Sequence, residues 1–340
     1  MRAMKKALIL YDCFSEGGHN PDQRDALIQA QAVAGALREI GWEPMELSLS
    51  LDVAAFVNAL GTIHPAFVFN LVESLEGHGR LIHLAPAVLD ILGVPYTGSK
   101  TDSVFLTSNK RMAKERLKAA ALPTPPGFWQ RDLRGKAFPI EGRYIVKSTW
   151  EHASIGLGED SVVDAGNAAR LHAAIEQRRE RLGGDCFAEV FVEGREFNLS
   201  LLSSQEGPEV LPPAEILFED YPPEKLKMVD YRAKWEEDSF ESLHTQRRFD
   251  FPVSDGPLLR RLESLAKRCW DLFDLRGYGR VDFRVDGENQ PWILEINTNP
   301  CLSPDAGFIA AAMQAGLPFR AVVERILGDS GIEERSPEAG

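Results

Sequence analysis

The sequence predicts an α/β protein with a parallel sheet in its first part and an α+β C-terminal half. Two observations predict it. Up to about residue 100, apolar strand-like runs alternate with helix-spaced stretches, the pattern of a parallel sheet with helices on its faces. Near the C-terminus, "GRVDFRVD" and "PWILEINT" flank Asp286-Gly287-Glu288-Asn289, a good hairpin turn between two strands.

The elements follow in order. "KKALILY" reads as the first strand, and "QRDALIQAQAVAGALREIG" as a helix stopped by Gly41. "PAFVFNLV" is a buried strand, "HLAPAVLDILG" a helix, and "VPYTG" a short strand and turn. No G-x-G-x-x-G follows the first strand, so a dinucleotide fingerprint is missing. "NKRMAKERLKAAAL" is a basic helix, and "PTPPG" after it cannot continue a helix and reads as a linker. "GRYIVKSTW" is a strand, "EHASIGLGED" a glycine-containing loop, and "AGNAARLHAAIEQRRERLG" a helix. "CFAEVFVEGREFNLSLLSS" and "EVLPPAEILF" read as strands around a Gly-Pro turn. Residues 219–250 are charged and show no period, which suggests a long loop of the kind that forms a lid. "GPLLRRLESLAKRCWDLFDLRG" is the last clear helix, and the tail from about residue 330 looks frayed.

Composition narrows the function classes. The chain has 340 residues, 44% hydrophobic and 26% charged, enough for two or three domains. A net charge of −13 repels phosphate backbones, so nucleic acid is not an expected partner. Cys13, Cys186, Cys269 and Cys301 are far apart and form no C-x-x-C pair, against a zinc site or disulfide framework. The apolar run after the first lysines stops at Asp12, too short for a signal peptide, and no run is long enough for a membrane helix. A soluble cytoplasmic protein with no membrane partner is expected.

The chemistry concentrates on the last hairpin. Alternation puts Glu295 and Asn297 on one face of their strand, and Arg280, Asp282 and Arg284 on one face of the other. If those faces coincide, Asp282, Glu295 and Asn297 converge as hard oxygen ligands suited to Mg²⁺. The plainer alternative is that Asp282 and Glu295 pair with Arg280 and Arg284 across the ladder. Lys147 ends a strand before a Gly/Ser loop whose N–H groups could cradle phosphate, and Lys110 lies on the basic helix.

Together, "GVPYTGS", "SNKRMAKERL", "YIVKS", "AEVFVEGREF", "DYRAKW", "GYGRVDFRVD" and "WILEINTNPCLS" resemble the ATP-grasp superfamily, specifically the D-alanine–D-alanine ligase family. The resemblance implies an ATP-grasp fold preceded by a Rossmann-like domain. It implies a first domain over 1–103, a central subdomain over 104–189, a C-terminal subdomain over 190–330 with lid 219–250, and a tail over 331–340. It implies ATP held by Lys110, Lys147, Ser154, Glu189, Val192, Glu196 and Lys234. Asp282, Glu295 and Asn297 would bind one or two Mg²⁺ (or Mn²⁺) ions. Arg280 and the N–H of Cys301 would face a tetrahedral oxyanion, with Lys234 closing over the phosphates. The implied reaction activates a carboxylate as an acyl phosphate, which an amine then attacks. The partners are thus small carboxylates and amines, and a homodimer is left open.

The substrate end departs from the family. The loop usual as E-G-S-S-x-G reads "EHASIG", so Ala153 replaces a serine. Trp235 stands at a tyrosine position, Ala306 near a carboxylate-binding serine, Cys301 at a glycine, and Arg24 or Asp25 near a glutamate. "NLVESLEGHGR" replaces the usual H-G-x-x-G-E-D-G; Ser303, Glu73 and Glu76 remain candidate equivalents. These departures predict a ligase whose substrate is not D-alanine. The alternatives are a genuine D-alanine–D-alanine ligase, an ATP-grasp phosphotransferase, and a non-catalytic nucleotide-binding protein.

Overall fold

A computed structural model describes residues 5–12, 21–133, 142–150 and 156–332. The first sheet comprises β1 (Lys6–Asp12), β2 (Glu43–Leu49) and β3 (Phe67–Asn70), in the order β2-β1-β3 and parallel throughout. Parallel neighbours need crossovers, which α1 (Pro21–Glu39) and α2 (Val53–Ile63) supply. α3 (Leu84–Leu92) follows β3. The strand expected at "VPYTG" is reduced to a single parallel bridge between Val68 and Tyr96. Pro95 has no N–H to extend a ladder there.

α4 (Thr101–Ser108) and α5 (Lys110–Ala119) meet at Asn109. The Asn109 side chain accepts from the Arg111 and Met112 N–H groups at 3.0 Å each, which starts α5 with Lys110 in its first turn. A second sheet, all antiparallel, has the order β4-β7-β5-β6. It is built from β4 (Gly127–Phe128), β5 (Gly142–Ser148), β6 (Val162–Ala165) and β7 (Cys186–Val190). α6 (Gln130–Leu133) precedes β5, and α7 (Ala168–Leu182) covers the sheet by burying Leu171 and Ile175 against Val146 and Ala188.

The largest sheet contains β8 (Arg195–Leu202), β9 (Glu209–Val210), β10 (Ala214–Phe218), β11 (Thr245–Arg248), β12 (Tyr278–Val285) and β13 (Pro291–Asn297). Its order is β11-β10-β8-β12-β13, with β9 beside β8. Between β10 and β11 lie α8 (Tyr231–Trp235) and α9 (Phe240–Leu243). The stretch expected as one long loop therefore carries two short helices and an edge strand. Helices of five and four residues are too short to show a 3.6-residue period. α10 (Gly256–Leu272) lays Leu258, Leu262, Leu265, Ala266 and Cys269 onto the sheet. Each fully buried leucine there contributes about 1.5–3 kcal/mol. α11 (Gly307–Gln314) and α12 (Phe319–Asp329) close the chain.

Three packing facts show how the elements share cores. Ala113, Leu117 and Leu122 join the core of the large sheet with Phe197, Leu199 and Phe283, so α5 packs there rather than with the central sheet. The "PTPPG" segment is strapped to β13: the Ile293 N–H donates to Pro123 O at 2.8 Å, and the Thr124 hydroxyl to Ile293 O at 2.9 Å. Proline excluded a helix there, but packing made the segment part of the core. Likewise α11 and α12 share one core with the first sheet through Phe308, Ile309, Val322 and Ile326. Among the described residues no helix is long and apolar enough to cross a membrane.

Candidate active site

A cavity of about 1070 Å³ separates the second sheet from the large one. Ile145, Lys147, Glu189 and Val190 come from the second sheet; Glu196, Asn198, Asp282 and Glu295 come from the large one. A smaller cavity of about 210 Å³ adjoins it and shares Asp25, Lys234, Trp235, Arg247, Arg280 and Glu295 with it. Lys110, Val192 and Lys234 also line the large cavity, whereas Ser154 and Ala153 lie outside the described residues.

Glu189 is the most buried charge at this site, and two lysines neutralise it. Lys147 Nζ lies 2.6 Å from its Oε2, and Lys114 Nζ contacts Oε1. Burial works against the carboxylate, but the two positive charges outweigh it and hold the pKa below the usual range. Lys114 also donates to Thr124 Oγ1 at 2.8 Å and Pro125 O at 3.0 Å. Burial still pulls its pKa down to about 8. In the sequence Lys114 was only one more lysine of a basic helix. Its spacing of four from Lys110, one face of one helix, was the available signal. The Glu189 carboxylate expected to help hold ATP is thus already paired, and Lys147 reaches it as well as the cavity.

The last hairpin brings its polar face to the large cavity. In the ladder Asp282 stands opposite Glu295, and Arg280 opposite Asn297. Phe283 then stands opposite Ile293, so Leu294 is an extra residue on β13. This bulge leaves Leu294 and Glu295 both on the cavity, where simple alternation would have sent Leu294 to the core. Asp282 does not stand alone: Arg280 donates to both its oxygens, at 2.7 and 2.9 Å, and Asn198 Nδ2 donates to Oδ1 at 2.8 Å. Asp282 and Arg280 thus do pair, but along one strand rather than across the ladder as weighed from the sequence. Arg284 turns instead to Glu196 at 2.8 Å. Asn297 Oδ1 accepts from the Asn299 N–H at 3.0 Å, which shapes the following turn. Asp282, Glu295 and Asn297 supply oxygen donors from adjacent strands, with no imidazole or thiolate among them, which fits a hard divalent cation.

The substrate end is knit by groups the sequence did not join. Asp25 on α1 accepts from the Cys301 thiol at 3.0 Å and from the Ser303 hydroxyl. Burial, then the Glu73 and Asp25 charges, push the Cys301 pKa well up, which favours the neutral thiol. Gln29 Nε2 donates to Glu73 Oε1 at 3.1 Å, and Gln29 Oε1 accepts the Leu302 N–H at 2.9 Å. Burial and the Asp12 charge raise the Glu73 pKa to about 8. Arg24, Trp235 and Ala306 reach the cavities, as does Arg247, which sequence reasoning missed. Two adjacent arginines on a strand must point to opposite faces, but no pattern told which face was the cavity.

Two antiparallel sheets that clasp a lysine-lined cavity, with a carboxylate hairpin as its floor, define an ATP-grasp fold. A family model described as "D-ala D-ala ligase C-terminus" matches residues 136–328. A D-alanine–D-alanine ligase of Synechococcus sp. is 31% identical over 326 residues, spanning 92% of this chain and 91% of the relative. A protein of Sinorhizobium fredii, y4sG, described as uncharacterized, is 29% identical over 310 residues, 88% of this chain and 86% of its own. The crystal structure of a D-alanine–D-alanine ligase from Bacillus anthracis complexed with ATP superposes with a TM-score of 0.70 at 17% identity, covering 96% and 97% of the two chains. The chain belongs to the D-alanine–D-alanine ligase family. It is an ATP- and Mg²⁺-dependent ligase that forms C–N bonds.

Proposed function

We propose that this chain joins a carboxylate to an amine through an acyl phosphate, and that its preferred substrate is not D-alanine. The observation that carries the second part is the rebuilt wall of the small cavity. Asp25 is held by Cys301 and Ser303, Glu73 by Gln29, and Trp235, Arg247 and Ala306 complete it. A zwitterion in a closed site needs a partner for each charge, and an unpaired buried charge costs several kcal/mol. The partners offered here differ from the family's glutamate, serine and tyrosine.

In this reading Lys110, Lys147 and Lys234 bind the phosphates, Glu196 holds the ribose, and Glu189 and Val192 border the base. Asp282, Glu295 and Asn297 would hold Mg²⁺, which neutralises charge on the transferring phosphoryl group. A carboxylate oxygen of the acid substrate attacks the γ-phosphorus, the bond to the β-bridging oxygen breaks, and ADP departs. The amine nitrogen then attacks the acyl carbon. Arg280 and the Cys301 N–H face the oxyanion, the C–O bond to phosphate breaks, and phosphate leaves while the nitrogen loses a proton. Losing one such oxyanion donor typically costs about 10²–10³ in rate.

An ADP-release screen over amino acids and small carboxylates, with mass spectrometry of the product, tests the reading. An amide product from a pair other than two D-alanines, turned over faster than D-alanine, is the expected result. Rapid, saturable D-alanyl-D-alanine synthesis would instead establish the second reading, a genuine D-alanine–D-alanine ligase. The naming of the Synechococcus relative favours that second reading.

A further inference from the structure

The small cavity mixes charges. Asp25, Glu73, Glu295 and Asp305 line it with Lys234, Arg247 and Arg280. Most of these charges already have a task. Arg280 is bonded twice to Asp282, and Asp25 and Glu73 are held as described above. Arg247 differs. It donates one Nη1–H to the Asp305 carbonyl at 3.1 Å and forms no ion pair among the described residues. Its chain neighbour Arg248, on the opposite face of β11, is paired with the buried Glu215.

Position adds to this. Arg247 sits against the backbone of Gly307, where an added Cβ would come within 3.3 Å of its Nε. Ala306 beside it offers a methyl group and no hydroxyl. Arg247 stays open to solvent within the cavity. Crowding around its guanidinium, then the Arg280 charge, press its pKa down. It nevertheless stays charged, since a guanidinium does not deprotonate in proteins. Two guanidinium groups thus face one cavity while only one has a carboxylate partner. A planar fork of donors is matched best by a carboxylate.

We propose that Arg247 determines amine specificity by pairing with a carboxylate carried by the amine substrate. The inference rests on the ligase reading above and narrows it: Arg247 takes over the carboxylate contact for which Ala306 has no hydroxyl. Arg280 remains with Asp282 and the reacting carbon.

The test compares amino acids with their carboxamides as nucleophiles, in the wild type, Arg247→Gln and Arg247→Lys, reading amide product and the KM for amine and for ATP. The wild type should prefer the acid over its carboxamide by about 10²-fold or more in kcat/KM, the scale set by an interfacial charge pair. Arg247→Gln should bring that ratio towards unity and raise the KM of the amino acid, leaving the KM for ATP unchanged. Arg247→Lys should keep part of the preference, which separates loss of charge from loss of fold. Product formed with the same acid-to-amide ratio in Arg247→Gln overturns the inference alone. No amide product from any pair in the wild type overturns the ligase reading, and the inference with it.

Discussion

Arg280 and Asp282 stand two residues apart on one strand and hold each other through two hydrogen bonds, Nε–H to Oδ1 at 2.7 Å and Nη2–H to Oδ2 at 2.9 Å. Burial opposes the guanidinium charge, but Asp282 and Glu295 outweigh it and push the Arg280 pKa up. With Asn198 also on Oδ1, Asp282 accepts three hydrogen bonds and keeps one of its roughly four lone-pair sites.

Asp282→Asn should keep the fold and lower turnover by about 10²–10³, as expected for a lost electrostatic contact at the reaction centre. It should also raise the Mg²⁺ concentration at half-maximal rate. Glu295→Ala should act in the same direction. Turnover measured across a Mg²⁺ series, with a thermal melt as control, checks both. Parental turnover in Glu295→Ala would remove that residue from the cation site.

Lys114 is predicted to be structural. Lys114→Met leaves Glu189 buried with Lys147 alone, and breaking a buried pair typically destabilises by about 3–5 kcal/mol. Adding Glu189→Gln should recover much of that loss, because the fully buried carboxylate is then gone and Lys147 still faces the cavity. Urea unfolding of the single and double variants measures the coupling.

Glu73 predicts a pH dependence with a definite sign. Its pKa rises from 4.5 to about 8 on folding, mainly through burial and then the Asp12 charge. Between those values the folded state binds more protons than the unfolded one, so this contribution is fully present below pH 4.5 and is lost as pH climbs through about 8. Glu73→Gln should flatten that slope. Melting temperatures from pH 5 to 9 for both proteins, at about one-unit steps, check it.

The segment between β10 and β11 should close on ligand. Lys225 bridges it to the loop before β6, with Nζ at 3.3 Å from Glu159 and 2.6 Å from Glu241. The Tyr231 N–H donates to Leu157 O at 3.1 Å. Lys234 lines both cavities from here. Trypsin should cut near Lys227 or Lys234, and Mg·ATP should slow the cut. Equal cleavage with and without nucleotide would count against a lid.

Gly194 joins the second sheet to β8 with φ +137, and an added Cβ would lie 2.0 Å from Val285 O. Gly194→Ala should destabilise by at least about 3 kcal/mol, since both the backbone angle and the space exclude a side chain. Denaturant midpoints decide the point.

The sequence by itself determined the class of fold, the family, and which residues could do chemistry. Strand and helix periods are local, and motifs such as "YIVKS" and "GRVDFRVD" keep their residues within one element. Which face of the last hairpin carries both carboxylates was not legible, because only the bulge at Leu294 brings Glu295 opposite Asp282. What remained was decided by contacts distant in the chain. Glu189 found Lys114, 75 positions before it, and Asp25 found Cys301, 276 positions after it. The bulge at Leu294 broke the alternation that sequence reasoning relied on, and the proline segment became core because β13 had backbone groups for it to pair with. Arg247 and Arg248 were indistinguishable as letters. Only the sheet, by placing Glu215 on one side of β11 and the cavity on the other, gave one a partner and left the other facing the substrate space. Burial and long-range pairing set the free energy of a charge, and neither is encoded within the few residues around it.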